Sequence, residues 1–251
     1  MSAYAALSAA GYRAYTRDKT TLFFTFAFPL LFLVVFGLIF SGQEVDETGR
    51  PYISYIAPGV LSWGVANAAV FGVAFVLMQW RRDDLLRLIR MTPTRLSAVI
   101  GSRYGLALVI GLVQAAVFVL TALLPPFGLE LSGDWPLALP VLLLGITAFL
   151  AIGVVIGSFT RTPEAVAAVA NCVMVPMAFL SGSFYPLDAM PSWLQTLSWA
   201  LPLRYFNDGV SAAVTGDGGA TDILAACGGL AAFALVFGLL GLRTFRWSDR
   251  T

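Results

Sequence analysis

Residues 22–40 read LFFTFAFPLLFLVVFGLIF, a run of 19 residues without a charged side chain. A helix needs about 20 mostly apolar residues to cross the hydrocarbon core of a bilayer, so this run predicts a membrane-spanning helix. The strands of outer-membrane barrels alternate apolar and polar residues, and residues 22–40 do not. The stretch therefore indicates a helical membrane protein.

Five further stretches of the chain share this character. The remaining predicted spans are residues 56–79, 97–123, 136–158, 165–182 and 223–242. The six spans cover just over half of the 251 residues, and Arg103 is the only charged residue inside them. It lies near the polar end of its span, where its side chain can reach the interface. The sequence thus predicts an all-α membrane protein with six transmembrane helices.

The segment before the first span, residues 1–21, is predicted to form an amphipathic helix at the membrane interface. Tyr4, Leu7, Tyr12 and Tyr15 recur at helical spacing, and arginines lie between them. A frayed tail is the alternative interpretation.

The composition argues against several classes of protein. Only 12% of the residues are charged, whereas soluble domains contain about 25%. The net charge of +1 gives no basic field for nucleic acid. The chain has no His and two Cys, which excludes His-ligated metals, His-based catalytic triads and Cys-rich zinc or disulfide frameworks. No Gly-Lys pair is present, so the chain has no P-loop for ATP. We therefore expect no cofactor and no catalytic site in this chain.

No acidic residue lies inside a predicted span, which argues against an ion-coupled pump.

Basic residues predict the orientation, because cytoplasmic loops of membrane proteins are enriched in Lys and Arg. The two termini, residues 80–96 and 159–164 and the end of the third span hold 13 basic residues, and the opposite side holds 2. Both termini are therefore predicted to be cytoplasmic.

The loop at residues 80–96 is predicted to contain a short amphipathic helix. Two aspartates suit its N-terminus, and a Thr-Pro pair ends it and begins the next helix. Three apolar side chains share one face: Leu85, Leu88 and Ile89. Such a helix could dock on a cytoplasmic partner and pass force to the spans. Simple anchoring of the loop by its basic residues is the alternative.

The segment at residues 183–222 is too apolar for a solvated loop and too rich in Pro to span. Trp193, Leu194, Leu197 and Leu201 form one helical stripe, and the Trp and Tyr side chains of the segment are typical of membrane interfaces. We predict a broken helical hairpin that enters the outer leaflet, with its backbone shielded by protein or water.

Small and polar residues within the spans predict contacts between helices. Gly153 with Gly157, and Ala68 with Gly72, would allow close helix approach. Three uncharged polar residues either form interhelical hydrogen bonds or line a substrate path: Asn67, Gln114 and Asn171.

Several motifs together indicate a family. Residues 81–93 read RRDDLLRLIRMTP, residues 180–187 LSGSFYPL, residues 190–194 MPSWL and residues 201–205 LPLRY. With these motifs and six spans, the chain resembles the permease subunits of type 2 ATP-binding cassette (ABC) exporters, which include bacterial daunorubicin-resistance permeases. The coupling loop of that family commonly has Glu followed by Gly-Thr-Leu-Glu, and DDLLR at residues 83–87 replaces this pattern here.

The resemblance implies one type 2 ABC transmembrane domain over residues 1–251 in a bacterial cytoplasmic membrane. Two permease copies, identical or sister chains, would form the pathway. Two separate ATPase subunits would bind ATP and Mg and supply the energy. The apolar, aromatic spans suit a hydrophobic or amphiphilic cargo, such as a drug, an antibiotic or a lipid-like compound. Export of a lipid-linked glycan or a peptide is one alternative, and a non-transporting immunity or assembly protein is another.

Three groups of residues are candidates for these roles. The contact with the ATPase is expected at Arg82, Asp83, Asp84, Leu85, Leu88, Ile89 and Arg90. The substrate path is expected at Phe28, Phe32, Asn67, Asn171 and Met174. The outer mouth is expected at Tyr185, Trp193, Arg204 and Asp208. Arg204 and Asp208, at i and i+4, either form an ion pair or are unrelated interfacial charges.

Overall fold

A computed structural model of the chain describes residues 3–40, 51–85, 88, 91, 96–125 and 127–244. The regular secondary structure of these residues is helical, as predicted. In chain order the helices are α1 (Ala3–Arg17), α2 (Lys19–Ile39), α3 (Tyr52–Arg82), α4 (Leu96–Ala122), α5 (Ala138–Phe159), α6 (Pro163–Leu180), α7 (Ser192–Ser198), α8 (Pro202–Thr215) and α9 (Ala220–Thr244).

Six of these helices, α2 to α6 and α9, are long and apolar enough to cross a membrane. Their ends lie within four residues of the predicted spans. The helices extend slightly beyond the apolar runs, so charged residues occupy the end turns of four of them. Arg103 remains the only charged residue within the six predicted apolar stretches. The additional charged residues are Lys19, Arg81, Arg82, Glu164, Asp222 and Arg243.

Side-chain caps and glycine explain several helix ends. The Asp18 carboxylate accepts a hydrogen bond from the backbone N–H of Thr21 at 3.0 Å and so caps α2. The Thr162 hydroxyl accepts from the N–H of Ala165 at 3.2 Å, directly before Pro163 begins α6. Gly216 ends α8 with a φ of 73°, a left-handed conformation that favours glycine.

The two central helices of the bundle are α3 and α5. In their most apolar windows 61% and 67% of the residues are buried, whereas the other four spans have between 17% and 28%. Gly157 of α5 lies so close to α3 that an added Cβ would be 2.9 Å from the Ala74 carbonyl oxygen, and Gly153 faces Val70 in the same way. The predicted close approach at these two glycines is confirmed. These contacts join α3 and α5 into one tightly packed pair.

The second predicted small-residue pair behaves differently. Among the residues that the structure describes, no heavy atom of a neighbouring element lies within 4 Å of a Cβ added at Gly72. The prediction of close helix approach is therefore wrong at Gly72. Ala68 and Gly72 line a cavity instead.

The segment between α6 and α9 contains the two separate helices α7 and α8. The predicted stripe of four residues is interrupted, because α7 ends at Ser198 and Leu201 is extended with a φ of −107° and a ψ of 124°. Leu201 precedes Pro202, and a following proline disfavours the helical conformation. Leu203, Phe206 and Val210 of α8 are fully buried. The backbone of α8 is thus surrounded by α3, α5 and α9.

We use two names for the ends of the bundle. The terminal side carries α1, the C-terminal ends of α3 and α9, and residues 160–162. The far side carries the N-terminal end of α3, residues 123–137 and residues 181–201.

Candidate functional site

A cavity of about 830 Å³ lies on the terminal side of the bundle, between α1, α2, α3 and α4. Small-molecule sites in proteins have volumes of about 300–1,000 Å³. Three of the predicted path residues line this cavity, namely Phe28, Asn67 and Asn171. These three side chains come from three different spans and were predicted to line one substrate path. In the structure they lie around the same cavity.

A ladder of phenylalanine rings leads from the cavity along α2 toward the far side. Successive rings are four residues apart, so they lie above one another on one face of the helix. The centroids of neighbouring rings are 5.0 to 6.1 Å apart through Phe24, Phe28, Phe32, Phe36 and Phe40. Phe32 thus lies on the ladder, one step beyond the rings that line the cavity.

Two residues that the sequence interpretation did not select join this ladder to the rest of the bundle. The Trp63 ring of α3 lies 6.0 Å from Phe28 and 5.5 Å from Phe32. The Phe184 ring, on the far side, lies 5.6 Å from Phe32 and 5.2 Å from Trp63. Aromatic rings at such separations attract one another. Phe184 belongs to the LSGSFYPL motif, which was the available signal in the sequence.

The two predicted path residues of α6 point in different directions. Asn171 is exposed and lines the cavity, whereas Met174 is fully buried in the core and does not line it. The structure therefore separates Met174 from the other candidate path residues.

The C-terminal end of α3 leads directly into the predicted coupling loop. Arg82 and Asp83 line a second, smaller cavity of about 370 Å³ together with Pro163 of α6. Asp84 has a φ of 54°, and its carbonyl oxygen accepts a hydrogen bond from the N–H of Leu88 at 3.1 Å. The chain therefore turns sharply at Asp84, directly after the span.

Three apolar side chains of this loop are exposed, namely Leu85, Leu88 and Met91. Ile89, Arg90 and the Thr-Pro pair at residues 92–93 lie outside the described residues, so the predicted short helix and its cap stay predictions. Exposed apolar side chains next to charged ones are typical of a protein contact.

Arg81 is a buried arginine that the sequence interpretation did not single out. Its guanidinium donates to the carbonyl oxygens of Ser158 and Thr160, at the C-terminal end of α5. A cation at this end also offsets the helix dipole. Arg81 thus fastens the end of α3 to the end of α5. Nothing in the sequence distinguishes it from its neighbour Arg82, which is exposed.

On the far side, Arg204 and Asp208 of α8 form an ion pair, the first of the two alternatives for these residues, with 3.3 Å between Nε and Oδ2. The Arg204 guanidinium also stacks on the Trp199 ring and donates to the Ser198 hydroxyl, so it ties α7 to α8. Burial raises the pKa of Asp208 to about 6, although the neighbouring Arg204 acts in the opposite direction. The other candidate mouth residues, Tyr185 and Trp193, are exposed on this side.

Comparisons with known proteins agree with this architecture. The family model described as ABC-2 type transporter matches residues 2–215. The chain is 30% identical over 180 residues to the linearmycin resistance permease protein LnrN of Bacillus subtilis, a match that covers 70% of this chain and 46% of LnrN. It is 26% identical over 183 residues to the inner membrane transport permease YadH of Escherichia coli, covering 71% of this chain and 69% of YadH. It is 24% identical over 206 residues to the putative transport permease YvfS of Bacillus subtilis, covering 80% of each. The chain thus spans about half the length of LnrN and more of the other two.

Proposed function

Because the chain belongs to the ABC-2 type transporter family, we propose that it exports a hydrophobic or amphiphilic compound across a bacterial cytoplasmic membrane. The cargo is a drug, an antibiotic or a lipid-like molecule taken from the cytoplasm or the inner leaflet. Two ATPase subunits, which bind ATP and Mg, power the movement. Both termini and the loop after α3 face the cytoplasm.

The observation that carries this proposal is the cavity of about 830 Å³ and the phenylalanine ladder that continues from it. The cavity opens among spans rather than in a soluble domain, and its wall combines aromatic rings with the amides of Asn67 and Asn171. An apolar wall with a few polar groups suits an amphiphilic ligand. The ladder offers apolar contacts for such a ligand between the cavity and the far side.

The loop after α3 is proposed as the contact for the ATPase. Leu85, Leu88 and Met91 expose apolar surface there, and α3 is one of the two central, most buried helices of the bundle. Closure of the ATPase dimer on ATP binding pushes this loop. The bundle then moves as a rigid body against a second permease copy.

The second permease copy is supported by the position of Asn171 on α6. Asn171 is exposed although it lies well inside a span. An amide facing lipid is costly, so contact with a second protein chain or with a passing cargo favours its position. We propose that two copies, identical or sister chains, form the pathway between them.

The nature of the cargo is supported by one relative. LnrN is named as a linearmycin resistance permease, which favours an antibiotic or drug over a glycan or a peptide for this chain.

Reconstitution tests the proposal. The chain and its ATPase partner are placed in proteoliposomes that contain a fluorescent hydrophobic dye. We expect dye movement that requires ATP and stops when the catalytic Glu of the ATPase is replaced by Gln. Dye movement by the isolated chain, in the absence of any nucleotide-hydrolysing partner, would contradict the proposal.

A further inference from the structure

Two charged residues line the large cavity, and they differ in their hydrogen-bond partners. Among the described residues that line it, Asp18 and Arg103 carry charge. Asp18 is exposed, and both of its carboxylate oxygens are engaged within α2. One accepts from the Thr21 N–H at 3.0 Å, and the other accepts from the Thr21 hydroxyl at 2.6 Å. Asp18 is therefore engaged as the cap of α2, and its carboxylate, although charged, forms no ion pair with Arg103 in the described structure.

Arg103 enters the cavity wall from α4 and is partly buried. Its guanidinium carbon lies 4.2 Å from the centre of the Trp80 ring, which fixes its position through a cation–π contact. In the part of the chain that the structure describes, no carboxylate forms an ion pair with Arg103. A partly buried cation without a counter-ion is costly, and an anion supplied by a ligand would offset that cost.

Two cavity-lining residues also carry hydrogen-bond donors that have no acceptor in the described structure. The Nε of Arg103 and the Nε1 of Trp63 are buried and have no hydrogen-bond partner in the described structure. Both residues line the cavity. Buried donors normally find an acceptor, so these two nitrogens, which have almost no exposed surface of their own, would gain a partner if a side-chain movement brought them to an oxygen atom of a ligand.

The rest of the wall suits an apolar tail. Phe24 and Phe28 line it and have ring centroids 5.9 Å apart, and Leu106 and Ile110 of α4 lie across the cavity from α2. The cationic group and the apolar groups are therefore parts of a single wall.

From these observations we infer that the cavity binds amphiphiles with an anionic head, a phosphate or a carboxylate, which contacts Arg103 while the tail lies against Phe24 and Phe28. The inference rests on the proposed export function, because it names the head-group chemistry of the cargo. A membrane phospholipid and a dedicated cargo share this chemistry.

Binding of two probes with the same tail and opposite charges tests the inference. The full chain is placed in phosphatidylcholine nanodiscs and titrated calorimetrically with dodecyl phosphate or dodecyltrimethylammonium, with empty nanodiscs subtracted. We expect the phosphate to bind more tightly to the unaltered chain. Arg103→Gln is expected to weaken phosphate binding on the order of tenfold to a hundredfold, as for loss of a charged hydrogen bond. Arg161→Gln, which changes an exposed arginine outside the cavity, is the matched control and is expected to have no such effect.

Equal affinity for the two probes on the unaltered chain overturns the inference, even if the Arg103 variant fails to fold. Equal weakening by both arginine substitutions also overturns it, since the attraction would then be unspecific. Adding phosphatidylglycerol to the nanodiscs distinguishes the sources. Displacement of dodecyl phosphate indicates a lipid occupant, absence of displacement indicates a cargo, and either result supports an anion site.

The two proposals fail separately. Loss of the head-group preference together with retained ATP-dependent export of dye rejects the anion site and leaves the export function standing. If the head-group preference is retained but ATP-dependent export of the dye is absent, the export function is rejected and the anion site stands.

Discussion

Replacing Gly157 with Ala tests how closely α3 and α5 approach. The new Cβ would lie 2.9 Å from the Ala74 carbonyl oxygen and 3.0 Å from the Ala74 Cα. Both are backbone atoms, which move only if α3 itself moves. Overpacking of this kind typically costs about 1–3 kcal/mol, while Ala gains about 0.5–1 kcal/mol over Gly within a helix. We therefore expect a net loss of stability of up to about 2.5 kcal/mol.

Gly72→Ala is the matched control, because Gly72 lies within a span and has open space where its Cβ would be. Only the gain in helix propensity applies there, so this variant is expected to be more stable than the parent. The two variants should differ by about 1–3 kcal/mol, since the overpacking cost separates them. For a chain of this size that difference corresponds to a gap of about 2–12 °C in Tm. Thermal unfolding in one detergent, followed by far-UV circular dichroism, measures it. A Gly157→Ala protein that melts at or above the midpoint of Gly72→Ala would refute the close packing of α3 and α5.

Three further predictions concern the loop after α3, the topology and the far-side ion pair. Replacing Leu85, Leu88 and Ile89 together with Ser removes three apolar side chains from the loop, two of which, Leu85 and Leu88, are exposed. This change should reduce co-purification of the ATPase by about tenfold or more, with the amount of chain in the membrane as control; unchanged co-purification would reject the proposed docking role. In a background without native cysteines, Ser192→Cys should react with a membrane-impermeant maleimide added outside intact cells, and labelling only after the cytoplasm is opened would reverse the proposed orientation. Burial raises the pKa of Asp208 to about 6, above the value of about 4 for an unfolded chain, so the folded state binds this proton more tightly. The contribution of Asp208 to stability is therefore lost as pH rises from about 4 to 6, and Tm of Asp208→Asn should vary less over this interval than Tm of the parent; equal pH profiles would contradict the assignment.

The number and position of the spans could be predicted from the sequence because they depend on the length of apolar runs alone. The ends of the helices were harder to predict. α3 continues past its apolar run to Arg82, since the Arg81 guanidinium finds two carbonyl oxygens of α5 and can be buried there. That partner lies 77 residues further along the chain, and no local pattern reveals it.

The sequence does not reveal which face of a span contacts which neighbouring helix. A helix that is apolar on all sides has no periodic pattern to indicate its buried face. Gly157 and Gly72 therefore look equivalent in the sequence, yet one packs against backbone and the other faces a cavity. Asn171 and Met174 likewise share a helix, but only Asn171 reaches the cavity. By contrast, α8 carries charged residues, and its Arg204–Asp208 pair was predictable from spacing.

The packing of the bundle indicates how force on the loop after α3 would reach the cavity. Arg81 fastens the end of α3 to α5, and the glycine contacts at residues 153 and 157 hold the two helices together along their length. α5 in turn packs against α8 and α9. A push on the loop would therefore displace these helices together.

The opposite wall of the cavity is formed by α1, α2 and α4. α2 contains a π-helical stretch at Phe23–Ala27, and Pro29 follows in the next turn. π-helical turns and proline both interrupt regular helix hydrogen bonding, so this wall should deform more readily than the α3–α5 pair. Displacement of a stiff wall against a softer one would change the shape of the cavity between them, which is the movement that the proposed release of an amphiphile requires.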